Sequence, residues 1–545
     1  MKDLCKLLTF MSLLVLSFNV QAAEEKLLND GWHFVLKDVP QAKEKFFDDS
    51  AWRILNLPHD WAFEQGYSAD GVQKDKGGYA CGGVGWYRKA IKLDKKSVAE
   101  GKRLFLAFDA AYISFEYEIT PYVIDGENMV SVRIDNSLEP SARWYHGCGI
   151  YGNVYLKITN AVRLATGSVF VTTPMVTSEK AVVKVICKPD MLKEYKKVSV
   201  DYIILSPVGK KVGLLKNVVL NQKKAVQEIT VDKPQLWDID TPHLYSLVTK
   251  LKIDGEVVDE TVTRFGIRHV EWRTETGFWL NGKNVKLRGV CEHLEGGPVG
   301  AAWTENLIRW KVKLLKEMGC NSIRTAHNPQ LPVFYDICDE EGMLVMDEVF
   351  DGWSTKAPFD YGNQAFAGWW ERDLRDWVRR DRNHPSVIIY SVGNETRGDV
   401  ASELGKVCHE EDDTRLVTSG HSGSDFMDIL GVNGHSEKKG FILNYKPGKK
   451  AFVGTETPHT WQVRGYYRTQ TWYRDGYPNK RQDPFEIPDL CETEIFNYDW
   501  APASKWTNRK QHFNSSYDNA VVRINARQYM AYLRDLPWYS GSYRW

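Results

Sequence analysis

The sequence predicts a multidomain chain in which two β-rich segments precede a (β/α)8 barrel. Three observations lead there. Residues 24–160 carry short β runs split by Gly, Asp and Asn turns, such as Arg103-Leu-Phe-Leu-Ala-Phe108 and Met129-Val-Ser-Val-Arg-Ile134. A second β stretch fills about 161–270, with alternating runs such as Ala181-Val-Val-Lys-Val-Ile186, and its length suits a small two-sheet sandwich. Beyond residue 271, apolar strand-like runs alternate with helical stretches.

The first 22 residues stand apart. Lys2 and Lys6 precede an apolar run from Leu7 to Val20, followed by Gln21-Ala22-Ala23. This reads as a signal peptide, with cleavage expected between Ala22 and Ala23. The run is shorter than the ~20 residues of a membrane-spanning helix. An exported, soluble protein, periplasmic or secreted, is the expectation, with no membrane partner.

Composition narrows the function. Lys plus Arg and Asp plus Glu both number 71, so the formal net charge is zero. Without a basic excess, nucleic acid is not an expected partner. The charged share of 26% with 43% hydrophobic residues excludes bulk disorder. The 20 Trp and 26 Tyr would suit flat apolar sugar faces, and equally well an aromatic-rich β-core. Eight cysteines follow the leader, with neither C-x-x-C pairs nor zinc spacing, so buried thiols are expected. Neither a metal nor a cofactor is expected. Gly147-Cys-Gly-Ile-Tyr-Gly152 fits a dinucleotide fingerprint, but the strand Val154-Tyr-Leu-Lys-Ile158 follows it where a helix would be needed.

In the barrel segment eight strands are expected: 285–290, 322–326, 344–348, 387–395, 416–420, 427–433, 451–456 and 539–545. Helices such as 307–318 and 369–380 separate them, and a seventh is expected around 521–536. The chain stops at Trp545, so no eighth helix is expected. A truncated, weakly active protein with an uncovered strip of barrel sheet is the corresponding expectation. An open doubly wound sheet is the competing fold, but the Gly-rich turn it wants after the first strand is missing.

Barrel active sites lie at the C-terminal ends of the strands. There the sequence places Cys291-Glu-His293, Arg324-Thr-Ala-His-Asn-Pro329, Met346-Asp-Glu348, Val392-Gly-Asn-Glu395 and Val453-Gly-Thr-Glu456. Any one of these carboxylates could belong to an ion pair at the barrel mouth. Glu395 and Glu456, ending strands four and seven, suit a more specific use. Two carboxyls held ~5–5.5 Å apart can hydrolyse a glycoside by double displacement. One donates a proton to the leaving oxygen and the other attacks the anomeric carbon, so their environments must split their titrations. Asp347 and Glu348 could hold a divalent cation with Glu395, although Glu348 reads better as a hydrogen-bonding partner of substrate or acid.

Asn383-His-Pro-Ser-Val-Ile-Ile-Tyr-Ser-Val-Gly-Asn-Glu395 strongly resembles the acid/base signature of glycoside hydrolase family 2. Further motifs resemble that family in its order. They are Gly82-Gly-Val-Gly-Trp-Tyr-Arg88, Ala142-Arg-Trp-Tyr-His-Gly-Cys-Gly-Ile-Tyr151, Arg264-Phe-Gly-Ile-Arg268, Phe278-Trp-Leu-Asn-Gly-Lys283, Leu315–Pro329 and Gly342–Glu348. After the signal peptide at 1–22, the resemblance implies a jelly-roll sugar-binding domain at 23–160, an immunoglobulin-like sandwich at 161–270 and a TIM barrel at 271–545 lacking its last helix. It implies a retaining mechanism with Glu395 as acid/base and Glu456 as nucleophile. It implies that His293, His327, Asn394 and Trp545 bind substrate, and Glu348 is expected beside them as a substrate-binding residue. Where the family usually carries a tyrosine at the end of strand six, either His435 stands in or the role is lost. The first domain looks short of one strand-turn-strand unit between Ala111 and Ile113. The substrate implied is a carbohydrate, foremost a terminal β-galactoside. A β-glucuronide, or sugar binding without turnover, are the competing expectations.

Overall fold

A computed structural model of the chain describes residues 23–66, 80–97, 101–109, 113–137, 144–221, 223–351, 366–395, 398–420, 426–434, 444–457 and 535–545, with isolated positions 68, 71, 99, 441 and 533. The expected leader, His435 and the bulk of the expected seventh helix lie outside the described residues.

The first β segment folds into two four-stranded antiparallel sheets. One sheet runs in the order Glu24–Leu27, Val154–Asn160, Lys102–Phe108, Phe115–Glu118. The other runs Arg53–Leu55, Trp32–Val35, Gly83–Leu93, Gly126–Asn136. Eight strands in two sheets is the jelly-roll complement. Trp32, Trp61, Tyr87 and Leu104 fill the space between the sheets. The place of the expected missing unit, 110–112, is outside the described residues.

The second segment packs a three-stranded sheet (Val169–Val176, Lys180–Cys187, Ala225–Asp232) on a four-stranded one (Lys211–Val219, Val198–Leu205, Tyr245–Ile253, Glu256–Phe265). Seven strands match an immunoglobulin-like sandwich. Alternation drives it: in Lys180–Cys187 every second side chain is buried, so Ala181, Val183 and Val185 face the core. Asn383 clamps this sandwich to the barrel. Its amide donates to the carbonyl of Val169 at 2.8 Å and accepts from the Val171 N–H at 2.9 Å.

The third segment is an eight-stranded parallel sheet. Its strands are β1 (Leu287–Cys291), β2 (Ser322–Arg324), β3 (Leu344–Glu348), β4 (Val387–Asn394), β5 (Val417–Gly420), β6 (Leu430–Asn433), β7 (Phe452–Glu456) and β8 (Tyr539–Arg544). Their spatial order is β5-β4-β3-β2-β1-β8-β7-β6. The sheet closes where Asp428 N–H donates to Val417 O at 2.9 Å and Thr418 Oγ1 donates to Ile429 O at 3.0 Å. That circular order rules out the open doubly wound sheet. The helices α1 (Glu305–Glu317), α2 (Pro332–Glu341), α3 (Phe366–Asp381) and α4 (Gly398–Glu411) cover its outside. Thr304 caps α1 by accepting from Leu307 N–H. Arg309 and Lys316 bind α1 to the end of α2. On the opposite flank of α1, Trp310, Leu314 and Met318 form a stripe that the described residues leave exposed.

A small sheet, Val270–Arg273, Gly277–Leu280 and Lys283–Asn284, closes the barrel floor. Its Phe278 and Leu280 pack with Leu287, Leu344, Ile388 and Ala451, which lie at the starts of barrel strands. Above them Tyr543 crosses the interior, and its hydroxyl accepts from Ser322 Oγ at 2.7 Å. Gly289 makes room for that ring, since a Cβ there would lie 2.3 Å from it. With the floor filled, a barrel site is expected at the carboxyl ends of the strands. Cys187, Cys338 and Cys408 are buried thiols. No helix among the described residues is long and apolar enough to cross a membrane.

Candidate active site

The strand ends converge on one buried guanidinium. Arg324 ends β2 with no exposed surface. Its Nε and Nη2 grip Glu348 of β3 at 2.7–2.9 Å, and Nη1 reaches Glu456 Oε1 of β7 at 2.8 Å. Nη1 also donates to the Thr455 carbonyl at 3.1 Å, and Nη2 to Asn394 Oδ1 at 3.3 Å. One side chain therefore ties together β2, β3, β4 and β7. Burial alone would pull its titration down. Glu348 and Glu456 outweigh that, and Arg324 stays charged well above its ordinary range.

Glu348 is fully buried. Besides Arg324 its oxygens face His327 Nδ1 at 2.7 Å and Ser391 Oγ at 2.5 Å. It thus lies behind His327 and Arg324, away from open space. His327 turns its other nitrogen towards Glu456, with Nε2 at 3.7 Å from Oε1. Asp347, the next residue on β3, points to the opposite side as strand alternation demands, and takes the Tyr335 hydroxyl at 2.6 Å. The pair Asp347 and Glu348 therefore does not converge on one cation.

Asn394 ends β4. Its amide donates to Asp351 Oδ1 at 2.9 Å, and its carbonyl accepts from Asn433 Nδ2 of β6 at 2.9 Å. Glu395 follows directly in a turn with φ +53°. A non-glycine residue held there is strained, and such strain gathers where function fixes a side chain's aim.

Aromatic rings complete the mouth. His293 and His327 meet edge to face at 5.5 Å. Trp545, just past β8, stacks on His327 at 5.0 Å and 22°. Burial, with His327 next to it, pushes the His293 imidazole down to about 3, so it is neutral in the physiological range. Its Nδ1 has no hydrogen-bond partner among the described residues.

The structure thus gathers His293, His327, Glu348, Asn394, Glu456 and Trp545 at one end of the barrel, with Glu395 adjoining Asn394. In the sequence Arg324 is visible only as part of a motif, with no bridging role assigned to it. The signal was there: a charged side chain in a three-residue buried strand needs carboxylates nearby. Trp144, visible in the sequence only as part of the Ala142–Tyr151 motif, comes from the first domain and stacks on His293 at 4.9 Å and 12°. Tyr445 of Asn444-Tyr-Lys446 lies against Trp538 at 4.5 Å, and Trp370 packs on the core while Trp369 stays exposed.

Comparison with known proteins points one way. Residues 162–268 match the family described as "Glycosyl hydrolases family 2", and residues 270–440 match its "TIM barrel domain". A putative β-glucuronidase of Formosa agariphila is 48% identical over 540 residues, covering 96% of this chain and 51% of that protein. A β-galactosidase of Bacteroides ovatus is 36% identical over 524 residues, covering 82% and 61%. The crystal structure of a β-glycosidase from Bacteroides vulgatus superposes with a TM-score of 0.81 at 34% identity, covering 96% of this chain and 70% of that one. The chain spans about half to three fifths of the length of the two curated relatives.

Proposed function

The chain belongs to glycoside hydrolase family 2, and from that premise we propose that it is a retaining, exo-acting β-glycosidase, foremost on terminal β-galactosides. The observation that carries the reading is the Arg324 bridge between Glu348 and Glu456. A guanidinium at 2.8 Å favours the charged form of the Glu456 carboxylate, which is the form a nucleophile needs. In the proposed first step Glu456 attacks the anomeric carbon while Glu395 gives its proton to the leaving oxygen. In the second step Glu395 takes a proton from water, and that water displaces Glu456 with overall retention. His293 Nδ1, buried and without a described partner, is a hydrogen-bonding atom left for a sugar hydroxyl. We read Glu348 as holding His327 and Arg324 in place instead of touching the sugar.

A second reading, a β-glucuronide as substrate, is favoured by the 48%-identical relative, a putative β-glucuronidase. Turnover of a panel of aryl β-glycosides, with the anomeric configuration of the first product followed by NMR, tests both. Retained β-product from a galactoside supports the main reading, and exclusive turnover of glucuronides moves it to the second. Inverted product would count against double displacement. Glu456→Ala should abolish turnover, and azide should restore product of inverted configuration by occupying the vacated carboxylate volume. Full residual activity in that variant would remove Glu456 from the role. We also propose export, supported by Lys2, Lys6 and the apolar run to Val20. Secreted protein beginning at Ala23 is the expected outcome of N-terminal sequencing, and a retained Met1 would argue against it.

A further inference from the structure

We propose that the first β-domain supplies a wall of the sugar site through Trp144, and that Asp60 is the residue that positions it. This rests on the glycosidase reading above.

Trp144 stands at the barrel mouth although its chain segment belongs to the jelly roll. Its indole lies parallel to His293 at 4.9 Å and meets the edge of His327 at 5.2 Å. His327 in turn approaches Glu456 at 3.7 Å. Trp144 stacks on His293 and Trp545 on His327, and each indole also meets the other histidine edge to face. The C–H face of a pyranose packs on such flat apolar surfaces, and aromatic walls are common in small-ligand sites. A ring this near the inner sugar bears on which sugar is accepted.

Asp60 explains how a residue from another domain is held there. It is buried, with 4% of its surface exposed, and lies at the N-terminus of the short helix Trp61–Gln65. Oδ1 accepts from the N–H groups of Ala62 at 3.1 Å and Cys148 at 3.0 Å. Oδ2 accepts from the Tyr145 hydroxyl at 2.5 Å and from Ala301 N–H at 2.8 Å. These four donors come from three places: its own helix, the 145–148 loop beside Trp144, and the 300–301 loop that follows His293. Both loops press against the carboxylate. A Cβ on Gly147 would lie 2.9 Å from Oδ2, and one on Gly300 would lie 2.3 Å from it. The carboxylate thus fixes Trp144 relative to His293 across the domain boundary. An amide at position 60 would turn N–H groups towards donors and leave at least one of them unpaired.

The test compares wild type, Trp144→Leu, Trp144→Phe, Asp60→Asn and Asp60→Asn/Trp144→Leu. Kinetics on 4-nitrophenyl β-glycosides of different sugars are run beside calorimetric titration with the free sugars. Trp144→Leu keeps apolar bulk on His293 but removes the flat face. It should lower kcat/KM about tenfold, chiefly through KM, with the melting temperature nearly kept. Trp144→Phe should recover most of that loss, and the ratio between sugars should change in the Leu variant. Asp60→Asn should reproduce the KM effect, and the double variant should be no worse in kcat/KM than Trp144→Leu alone. Unchanged kinetics and sugar binding in Trp144→Leu would overturn the wall. Multiplying losses in the double variant would overturn the positioning role of Asp60. A wild type that binds sugars without turning any over would sink the glycosidase reading and leave Trp144 to be judged by the titrations. A wild type that neither binds nor hydrolyses sugars overturns both.

Discussion

Replacing Arg324 by methionine removes the charge at the centre of the site while keeping much of its volume. Glu348, fully buried, would lose its 2.7 Å ion pair and keep only His327 and Ser391. Glu456, with 7% of its side chain exposed, would lose its 2.8 Å partner. Removing one member of a buried ion pair costs about 3–5 kcal/mol, because the orphaned charge cannot reach water. For a domain of barrel size each kcal/mol moves the midpoint by about 2–4 °C, so thermal unfolding should shift down by roughly 6–20 °C. Turnover should fall further than the unfolded fraction explains, since His327 also loses its 3.3 Å contact to Nη2. Circular dichroism melts with activity measured well below the transition provide the assay. Adding Glu348→Gln should recover part of the loss, because it neutralises the stranded carboxylate. A melting point within about 2 °C of wild type for Arg324→Met, or strictly additive losses in the double variant, would refute the reasoning.

Glu395→Ala should lose far more first-step activity on alkyl galactosides than on dinitrophenyl galactoside, because a good leaving group needs little protonation; equal losses would remove Glu395 from the acid role. His293→Gln should lower kcat/KM about tenfold while leaving both limbs of the pH–rate profile in place. Its imidazole is pushed down to about 3 by burial and is already neutral there, so a moved limb would show that His293 titrates in the working range. On α3, burial pushes Asp373 up to about 6, with Asp376 adding to this and Arg372 opposing it. A raised value in the fold means that this group's contribution is full below about 3.8 and is lost as pH rises through about 6. Asp373→Asn should therefore raise the melting temperature near neutral pH, by the equivalent of about 1 kcal/mol or less after solvent screening, and leave it unchanged near pH 3.5. Stabilisation of equal size at both pH values would contradict the assignment.

The sequence by itself determined the succession of β segments and the eight barrel strands in their order. Those features are local: a strand is written in a short apolar run, and a βα unit in the change of period that follows it. It also determined which side chains stand at the strand ends, because alternation fixes them once the strand is known. Only the tertiary structure decided what those side chains do to each other. Arg324 and Glu456 are 132 positions apart, and they meet because the sheet closes on itself. Glu348 was legible as a strand-end carboxylate, yet its place behind His327 depends on Ser391 and Arg324 from neighbouring strands. Trp144 reaches His293, and Asp60 reaches Ala301 across 241 positions, through packing between two domains. No periodicity in one segment encodes a contact with another, since such a contact exists only after both have folded and their buried polar groups have found partners.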